Sequence, residues 1–452
     1  MLRVAVVGSG PSGCYTAQHL VQLDPGARVD VLDRLPCPYG LVRYGVAPDH
    51  EKIKSLQGSL RTVLEHERVR FLGAVPVGPD GVPAARLREL YHAVVYCVGA
   101  ATDRHLGVPG EDLPGSWSAT EFVSWYSAHP DAADAGFLRG VRSAVVVGVG
   151  NVAVDVTRML ARGAGELHPT DMPHAALTAL TASEVTEIQM VGRRGPSQAR
   201  FTTKELRELG TLPGTAVHVD PAEAALDPAF ADPSGLPPPR RRNVEVLRGW
   251  TAPPRPNARR LIRLRFFLRP VELLAADGRV GAVRFERTVP DGAGGVTGTG
   301  HFEEIEGQLV LRSVGYRGMP LEGLPFDAAT GTVPHLAGRV LRGGAAAPGE
   351  YVAGWIKRGP TGVIGTNRSC AKETVTSLLQ DAPSLTTRPL PDDPLPALRA
   401  EGVEPVPWQG WESIEQAESR LGASLGRGVV KLPDWESLLG AAREGDGVDH
   451  RP

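Results

Sequence analysis

The 452-residue sequence predicts an α/β protein with two Rossmann-like domains and a small C-terminal extension. One pattern occurs twice, around residues 4–21 and again around residues 143–160: a short β-branched run, a glycine-rich turn, and then apolar residues at helical spacing. The chain is also too long for a single hydrophobic core and suits two or three domains. Both observations favour a multidomain α/β architecture.

Composition and charge exclude several classes of protein. The formal net charge of -2 gives no general reason to expect binding to nucleic acid or to a membrane surface. No apolar stretch approaches the roughly 18 residues that a membrane span requires. The sequence runs directly into its first strand without a recognisable targeting segment, so we expect a cytoplasmic protein.

The four cysteines, Cys14, Cys37, Cys97 and Cys370, are far apart in the sequence. They form no Cys-x-x-Cys pair and no metal-ligand cluster. We therefore expect neither a redox-active dithiol nor an iron-sulfur cluster on this chain, and we predict no metal site.

The first glycine turn has the composition of a dinucleotide site. Gly8 permits a tight turn, Gly10 allows close approach of a pyrophosphate, and Gly13 lets helix and strand pack together. The helix N-terminus that follows offers free N–H groups to phosphates. The next strand, 28–32, ends on Asp33, close to the usual position of an acid that accepts hydrogen bonds from ribose hydroxyls.

The second turn, Gly148-Val-Gly150-Asn-Val-Ala153, differs at the end of its following strand. There the sequence has Arg193 and Arg194, where a site that prefers NAD would carry an acid. Two guanidinium groups suit a 2′-phosphate, so NADP is favoured over NAD. The two turns differ in the residues expected to meet the ribose, an acid at the first and two arginines at the second. This difference predicts two different dinucleotides, FAD at the first turn and NADP(H) at the second.

Several segments in order resemble the adrenodoxin reductase family, and in particular its bacterial ferredoxin-NADP reductases. The resemblance runs from about residue 3 to about residue 380 and rests on these segments: Val6–Gly13 with Tyr15–Leu20, Tyr39–His50, Gly148–Asp155, Val191–Pro196 and Gly354–Ile364. It implies an NADP domain, 102–319, inserted into an FAD domain formed by 1–101 and 320–384. The remaining residues, 385–452, are expected to form a proline-rich linker followed by a helical extension. Short apolar strands that end in glycine, at 91–100 and 308–315, support the two crossover points independently.

The resemblance also implies which residues contact each cofactor. Asp33 stands where many relatives have Glu, and Trp355 as a simple core residue remains an alternative. The FAD contacts implied are Ser12, Asp33, Leu41, Val77, Trp355, Gly362, Val363 and Ile364. The NADP contacts implied are Val149, Gly150, Asn151, Val152, Arg193, Arg194, Glu205 and Gly362.

For the chemistry, the resemblance implies hydride transfer from NADPH to the flavin and single-electron transfer to an iron-sulfur protein. It places His50 and Glu208 as an ionic pair that tunes charge beside the flavin. The alternatives are a loop histidine bonded to backbone and an exposed helix acid. Glu205 has two interpretations of equal weight: an NADP contact, or the far end of a capping box whose carboxylate returns to the Thr202 N–H.

The expected partner is an acidic ferredoxin, with a cytochrome P450 as a conceivable downstream acceptor. Three basic segments in the second domain, Arg240–Arg242, Arg259–Arg265 and Arg269, would steer such a partner, or else form an ordinary solvated face. Other NADPH-dependent flavoproteins, including monooxygenases, and a non-catalytic redox-sensing flavoprotein are the rival functions.

Overall fold

The computed structural model describes residues 1–132 and 136–446. The chain forms two compact units. The first unit contains Met1–Thr102, the short segment Ser127–Asp131 and the chain from Tyr316 onwards. The second unit contains Asp103–Tyr126 and Ala132–Gly315.

The elements of the first part of the chain alternate between strands and helices. They are β1 (Arg3–Val7), α1 (Pro11–Leu23), β2 (Arg28–Leu32), α2 (Leu41–Tyr44), α3 (Glu51–Lys54), α4 (Leu56–Leu64), β3 (Val69–Leu72), α5 (Ala84–Leu90), β4 (Ala93–Tyr96) and the short β5 (Thr102–Asp103).

The second unit follows the same alternation and then adds long antiparallel strands. Its elements are β6 (Ser116–Ser118), α6 (Ala119–Tyr126), β7 (Ser143–Val147), α7 (Asn151–Ala161), α8 (Ala164–Leu167), α9 (His174–Thr181), β8 (Glu187–Gly192), a 3₁₀ helix (Pro196–Gln198), α10 (Thr203–Leu209), β9 (Thr215–Val219), α11 (Pro221–Ala224), α12 (Pro228–Ala231), α13 (Pro238–Arg248), β10 (Arg260–Phe266), β11 (Leu268–Ala276), β12 (Arg279–Pro290), β13 (Val296–Glu306) and β14 (Leu309–Arg312).

The chain then completes the first unit and ends in helices. These last elements are β15 (Tyr316–Arg317), β16 (His335–Leu336), β17 (Arg339–Arg342), β18 (Ala345–Val352), α14 (Trp355–Arg358), α15 (Thr366–Leu385), α16 (Leu395–Ala400), α17 (Trp408–Ser424) and α18 (Trp435–Asp446).

The first unit is built on a seven-stranded sheet in the order β16-β17-β18-β4-β1-β2-β3. The five strands from β18 to β3 are parallel, and β16 and β17 are antiparallel additions at one edge. Alternate residues of β1 enter two different hydrophobic clusters: Val4 and Val6 in one, Ala5 and Val7 in the other. The sheet is therefore covered on both faces, as β-branched parallel strands require.

The second unit has a six-stranded parallel sheet in the order β6-β14-β7-β8-β10-β9. A separate antiparallel sheet, β11-β12-β13, shares a cluster with it that contains Val145, Val147, Phe285 and Ile305. Both predicted strand–turn–helix motifs are confirmed, at β1–α1 and at β7–α7. The α/β fold class is confirmed with them.

The C-terminal extension differs from its prediction in one respect. The proline-rich stretch expected to be a linker contains the helix α16, whose Leu398 is fully buried in the core of the first unit. Val406 in the same stretch exchanges backbone hydrogen bonds with Gly73. The stretch is therefore packed structure, because its apolar residues find partners that the sequence pattern does not show.

Of the helices in the described ranges, the longest is α15, which is interrupted by polar and charged side chains. None of the described helices has the length and the apolar character that crossing a bilayer requires.

Candidate functional site

The first glycine turn joins β1 to α1, and backbone oxygens lie too close to two of its glycines to admit a side chain. Gly8 has a φ of +107°, and a Cβ there would lie 2.6 Å from the Cys97 carbonyl oxygen. A Cβ on Gly13 would lie only 1.8 Å from the Gly8 carbonyl oxygen. Both positions therefore require glycine, and the N-terminus of α1 faces the turn as a phosphate site requires.

Asp33 is bonded to the turn itself. Its Oδ2 accepts hydrogen bonds from the Ser9 N–H at 2.7 Å and from Ser9 Oγ at 2.5 Å, and its Oδ1 accepts from the Leu35 N–H at 2.9 Å. Burial raises the pKa of Asp33, and these hydrogen bonds oppose that rise. The structure thus gives Asp33 a role in fixing the turn; its contact with a ribose stays a prediction.

Ser12 Oγ and Trp355 Nε1 are among the buried polar atoms of the first unit that have no hydrogen-bond partner in the described residues. Buried polar atoms are normally satisfied, so each needs an external partner. Ser12 lies in the first turn of α1, where a phosphate oxygen would be held, and Trp355 begins α14 with its ring 5.3 Å from that of Tyr316. These orphaned atoms fit a dinucleotide bound at the first turn.

The other predicted FAD contacts also lie in the first unit. Leu41 is 40% exposed although the next three residues of α2 are buried, and Val363 is 67% exposed. Val77 is half-buried, Gly362 is exposed and Ile364 packs against the larger core cluster. Exposed aliphatic side chains of this kind suit an apolar ring system, and their contact with FAD stays a prediction.

The second glycine turn joins β7 to α7 and is more open. A Cβ on Gly148 would clash with the Ser313 carbonyl oxygen at 2.2 Å, whereas one on Gly150 would meet no heavy atom within 4 Å. The third position of the motif is Ala153, which is fully buried in the core. Val149 and Val152 are half-buried around this turn.

Asn151 has a structural partner that the sequence did not indicate. Its side-chain Oδ1 accepts a hydrogen bond at 2.7 Å from the N–H of Thr202, the N-cap residue of α10. The predicted capping box had the Glu205 carboxylate accepting from the Thr202 N–H. Asn151 accepts that hydrogen bond instead, so this half of the predicted box is wrong. The other half is confirmed, because Thr202 Oγ1 accepts from the Glu205 N–H, at 3.4 Å.

Four arginines gather beyond the second turn. Arg193 and Arg194 follow β8, and Arg200 and Arg240 are close enough for their charges to affect Arg194. Burial lowers the pKa of Arg194, and the positive charges of Arg200, Arg193 and Arg240 lower it further. None of the four has a carboxylate partner in the described part of the chain. An uncompensated cluster of this kind is a site for an anion such as a phosphate.

Sequence analysis did not identify Arg200 with this cluster, and it placed Arg240 on a docking face. The signal available was weak, since Arg200 follows the Arg193-Arg194 pair by only a few residues but α13, which carries Arg240, is distant in sequence. Only the packing of α13 against α10 brings the two together.

Glu205 and Glu208 lie on α10 and share a buried cation. Arg158 of α7 is fully buried and lies 3.1 Å from Glu208, 3.8 Å from Glu205 and 2.8 Å from Asp155. Glu205 is itself buried and Glu208 is half-buried. Arg158, which the helical pattern gave no reason to select, therefore fixes both carboxylates predicted to border NADP(H).

His50 is buried in the first unit, at the N-cap position of α3, and its backbone N–H donates to the Ala47 carbonyl. Glu208 belongs to the second unit. The predicted ionic pair between His50 and Glu208 stays a prediction.

The predicted basic face is largely wrong. Arg260 is buried and donates to the carbonyls of Val185 and Ala161, and Arg265 pairs with both Glu223 and Glu303. Arg263 pairs with Glu187, and Arg269 with Glu286. The charges of Arg263, Arg265 and Arg269 are therefore neutralised by carboxylates, and Arg260 is bonded to backbone. Only Arg240–Arg242 on α13, together with Arg259, remain exposed without a described carboxylate partner.

All four cysteines are free and buried. Burial raises the pKa of Cys37 and of Cys97 to about 11 and that of Cys14 further still. Thiols of such high pKa are poor nucleophiles, so Cys14, Cys37 and Cys97 act as core residues.

Comparison with known proteins agrees with this geometry. The profile of the family described as pyridine nucleotide-disulphide oxidoreductase matches residues 2–210. The chain is 44% identical to NADPH-ferredoxin reductase FprA of Mycobacterium tuberculosis, over 96% of this chain and 98% of that protein. It is 39% identical to the mitochondrial NADPH:adrenodoxin oxidoreductase of Arabidopsis thaliana, over 98% and 95% respectively. The solved structure of Mycobacterium tuberculosis FprA in complex with NADPH superposes with a TM-score of 0.92 at 42% identity, covering 98% of this chain and 99% of that one.

Proposed function

Because the chain belongs to the family of NADPH-ferredoxin reductases and NADPH:adrenodoxin oxidoreductases, we propose that it carries FAD and transfers electrons from NADPH to an iron-sulfur ferredoxin. It is an oxidoreductase of the flavoprotein type. The observation that carries the assignment of the two cofactors is the contrast between the two glycine turns. The first has an acid beyond it, and the second has four arginines that pair with no carboxylate among the described residues.

FAD would be held by the first unit. Ser12 and Trp355 each supply an unsatisfied polar atom, Asp33 fixes the glycine turn, and Leu41 and Val363 supply exposed apolar surface. The bound flavin supplies the conversion between two-electron and one-electron transfer. The work of the protein residues is then to bind, to orient and to set the local charge.

NADPH would be oriented by the second unit. Arg193 and Arg194, with Arg200 and Arg240 beside them, provide the charge for the 2′-phosphate, and the open position at Gly150 leaves room for the pyrophosphate. Arg158 holds Glu205 and Glu208 in fixed positions. Glu208 and His50 are the residues we propose to tune charge where the nicotinamide and flavin meet.

An acidic ferredoxin would be attracted by the exposed arginines of α13, Arg240–Arg242, and by Arg259, since the other arginines of the predicted face are paired with carboxylates or buried. We propose, on the family resemblance alone, that the reaction takes place in the cytoplasm and that a cytochrome P450 is one downstream acceptor.

Stopped-flow absorbance of the purified holoenzyme tests this function. Bleaching of the flavin by NADPH in strong preference to NADH, followed by rapid reoxidation on addition of an oxidised ferredoxin, is the expected result. Bleaching without electron transfer to any ferredoxin would contradict it and favour a monooxygenase-like or redox-sensing flavoprotein. No flavin in the purified protein would contradict the FAD assignment itself.

A further inference from the structure

The C-terminal extension packs into the first unit beside the loop that precedes and includes α2. Trp411 and Ile414 of α17 and Leu438 of α18 are buried in the same cluster as Tyr39, Val42 and Tyr44. The ring of Tyr39 meets that of Trp411 edge to face, with centroids 5.9 Å apart. The extension therefore forms part of the core around this loop.

A buried ion pair joins the loop to α17. The two terminal guanidinium nitrogens of Arg43, Nη1 and Nη2, donate to the carboxylate of Glu418 at 3.1 and 2.6 Å. The side chains of Arg43 and Glu418 are 5% and 2% exposed. The guanidinium also lies 5.0 Å from the ring centroids of both Trp411 and Tyr44. Two parallel hydrogen bonds and two flanking rings fix the orientation of Arg43.

The backbone of the loop is held by the same part of the chain. Lys431, which is 1% exposed, donates to the Arg43 carbonyl oxygen at 2.7 Å and to the Ser127 carbonyl oxygen at 3.3 Å. Glu418 also accepts from the Leu432 N–H at 2.9 Å. Residues of the C-terminal extension therefore bond both parts of Arg43: Glu418 bonds its side chain, and Lys431 bonds its backbone carbonyl.

The opposite end of the loop rests on the first glycine turn. The Tyr39 N–H donates to the Ser9 carbonyl oxygen at 3.1 Å. Gly40 has a φ of +49°, and a Cβ there would lie 2.9 Å from the Gly10 Cα. The loop therefore connects the C-terminal extension to the turn at which the pyrophosphate of FAD would be bound, and it presents the exposed Leu41 between them.

We propose that Glu418 and Lys431 are positioning residues for FAD: by holding Arg43, they keep the Tyr39–Tyr44 loop pressed against the Gly8–Gly13 turn. The C-terminal extension is then part of the flavin site. This inference rests on the proposed FAD site. A purely structural role is the competing explanation, because a buried ion pair frequently contributes little to net stability.

The decisive experiment compares two variants of α17 in the holoenzyme. Glu418→Gln removes the charge that holds Arg43. The matched control, Glu415→Gln, removes an ion pair on the same helix: Glu415 bonds the half-exposed Arg61 at 2.7 Å, and it acts on Tyr39 and Arg43 of the loop through its charge alone. The readouts are the rate of FAD release, followed by the rise in flavin fluorescence below the unfolding temperature, and the visible circular dichroism of the bound flavin.

We expect E418Q to release FAD at least about tenfold faster than E415Q and to change the flavin dichroism, because a broken buried pair displaces the remaining charge. Glu418→Asp, which keeps the charge, should recover part of the retention. FAD release and dichroism of E418Q that match those of E415Q would overturn the proposal and leave a structural role.

If E418Q does not fold, Lys431→Met provides the second test. It removes the two bonds to the carbonyls of Arg43 and Ser127. Faster FAD release, by about threefold or more for one strong hydrogen bond, is expected. Unchanged release would overturn the proposal. Failure of the wild-type protein to bind FAD would instead overturn the proposed function, so the two failures are distinguishable.

Discussion

The two glycine turns share a backbone plan and differ in how tightly the protein encloses them. At the first turn, a Cβ on the third glycine, Gly13, would clash with backbone, and Ser9, Asp33 and the Tyr39–Tyr44 loop pack around it. At the second turn the third position is Ala153; at the middle position, a Cβ on Gly150 would meet no heavy atom within 4 Å, whereas one on Gly10 of the first turn would lie 3.7 Å from the Gly40 Cα. The first turn suits a cofactor that stays bound, and the second suits a dinucleotide that enters and leaves in every cycle.

The largest effect is expected from Gly13→Ala, which would break the enclosed turn. The new Cβ would lie 1.8 Å from a backbone oxygen, so strand and helix must separate at a cost of about 3 kcal/mol or more. We expect the purified variant to lose most of its FAD, measured as the ratio of flavin to protein absorbance. The matched control at the second turn is Ala153→Gly, which should cost about 1 kcal/mol and retain FAD. Full flavin content in G13A would show that the enclosure is unimportant.

The arginine cluster of the second turn is tested by Arg193→Gln combined with Arg194→Gln. Each lost charge-assisted bond costs roughly 1.5 to 3 kcal/mol, so kcat/KM with NADPH should fall about a hundredfold or more, while kcat/KM with NADH changes little. Steady-state kinetics with both nucleotides measure the ratio. Arg269→Gln, whose partner is Glu286, is the control and should leave the ratio unchanged. An equal loss with both nucleotides would refute recognition of the 2′-phosphate.

The units should also differ in their response to acid. Burial lowers the pKa of four histidines, His19, His92, His129 and His335, and all four belong to the first unit. For His129 the pKa falls to about 4, so the folded chain keeps it neutral while the unfolded chain binds a proton below about 6.5. The contribution of neutral His129 to the free energy of unfolding is therefore complete above pH 6.5 and is lost as the pH falls towards 4.

His129→Asn tests this contribution. Between about pH 6.5 and 4, the wild-type free energy of unfolding should fall more than that of the variant, by about 2 kcal/mol. Urea unfolding at a series of pH values measures the difference. His218→Asn in the second unit is the control, and parallel pH profiles for wild type and H129N would contradict the prediction.

The smallest effect is expected from Ser12→Ala. Ser12 Oγ has no partner in the described residues, so the stability of the FAD-free protein should not change. FAD should bind about fivefold more weakly, since one hydrogen bond contributes about 1 kcal/mol. Fluorescence titration of the FAD-free protein measures the affinity, and a loss of stability with unchanged affinity would assign Ser12 to the fold instead.

The parts of the structure that could be predicted are those that depend on residues close together in the sequence. The strand, glycine turn and helix at residues 3–23 and 143–161 follow from β-branched runs, glycines and helical spacing, and all of these act within one segment. The predictions that failed depended on distant partners. The Thr202 N–H bonds Asn151 rather than Glu205, and Arg265 finds its carboxylates on α11 and β13.

The same limit applies to the candidate site. Arg158 resembles any polar residue on a helix, and only the packing of α7 against α10 places it beside Glu205 and Glu208. Likewise, Leu398 in a proline-rich stretch gives no local sign that it reaches the core. Pairing and burial of this kind are decided by tertiary contacts, which a single sequence does not contain.

The Arg43–Glu418 pair has a consequence for the order in which the newly made chain can fold. During synthesis the Gly8–Gly13 turn is made before the second unit, whereas β18, which pairs with β4 in the same sheet, and Glu418, which pairs with Arg43, are made after it. Almost all of the second unit, from Asp103 to Gly315, is available earlier and can fold as a block. The surroundings of the Gly8–Gly13 turn are therefore completed only after the second unit has been synthesised, and we expect firm binding of FAD there to follow that point.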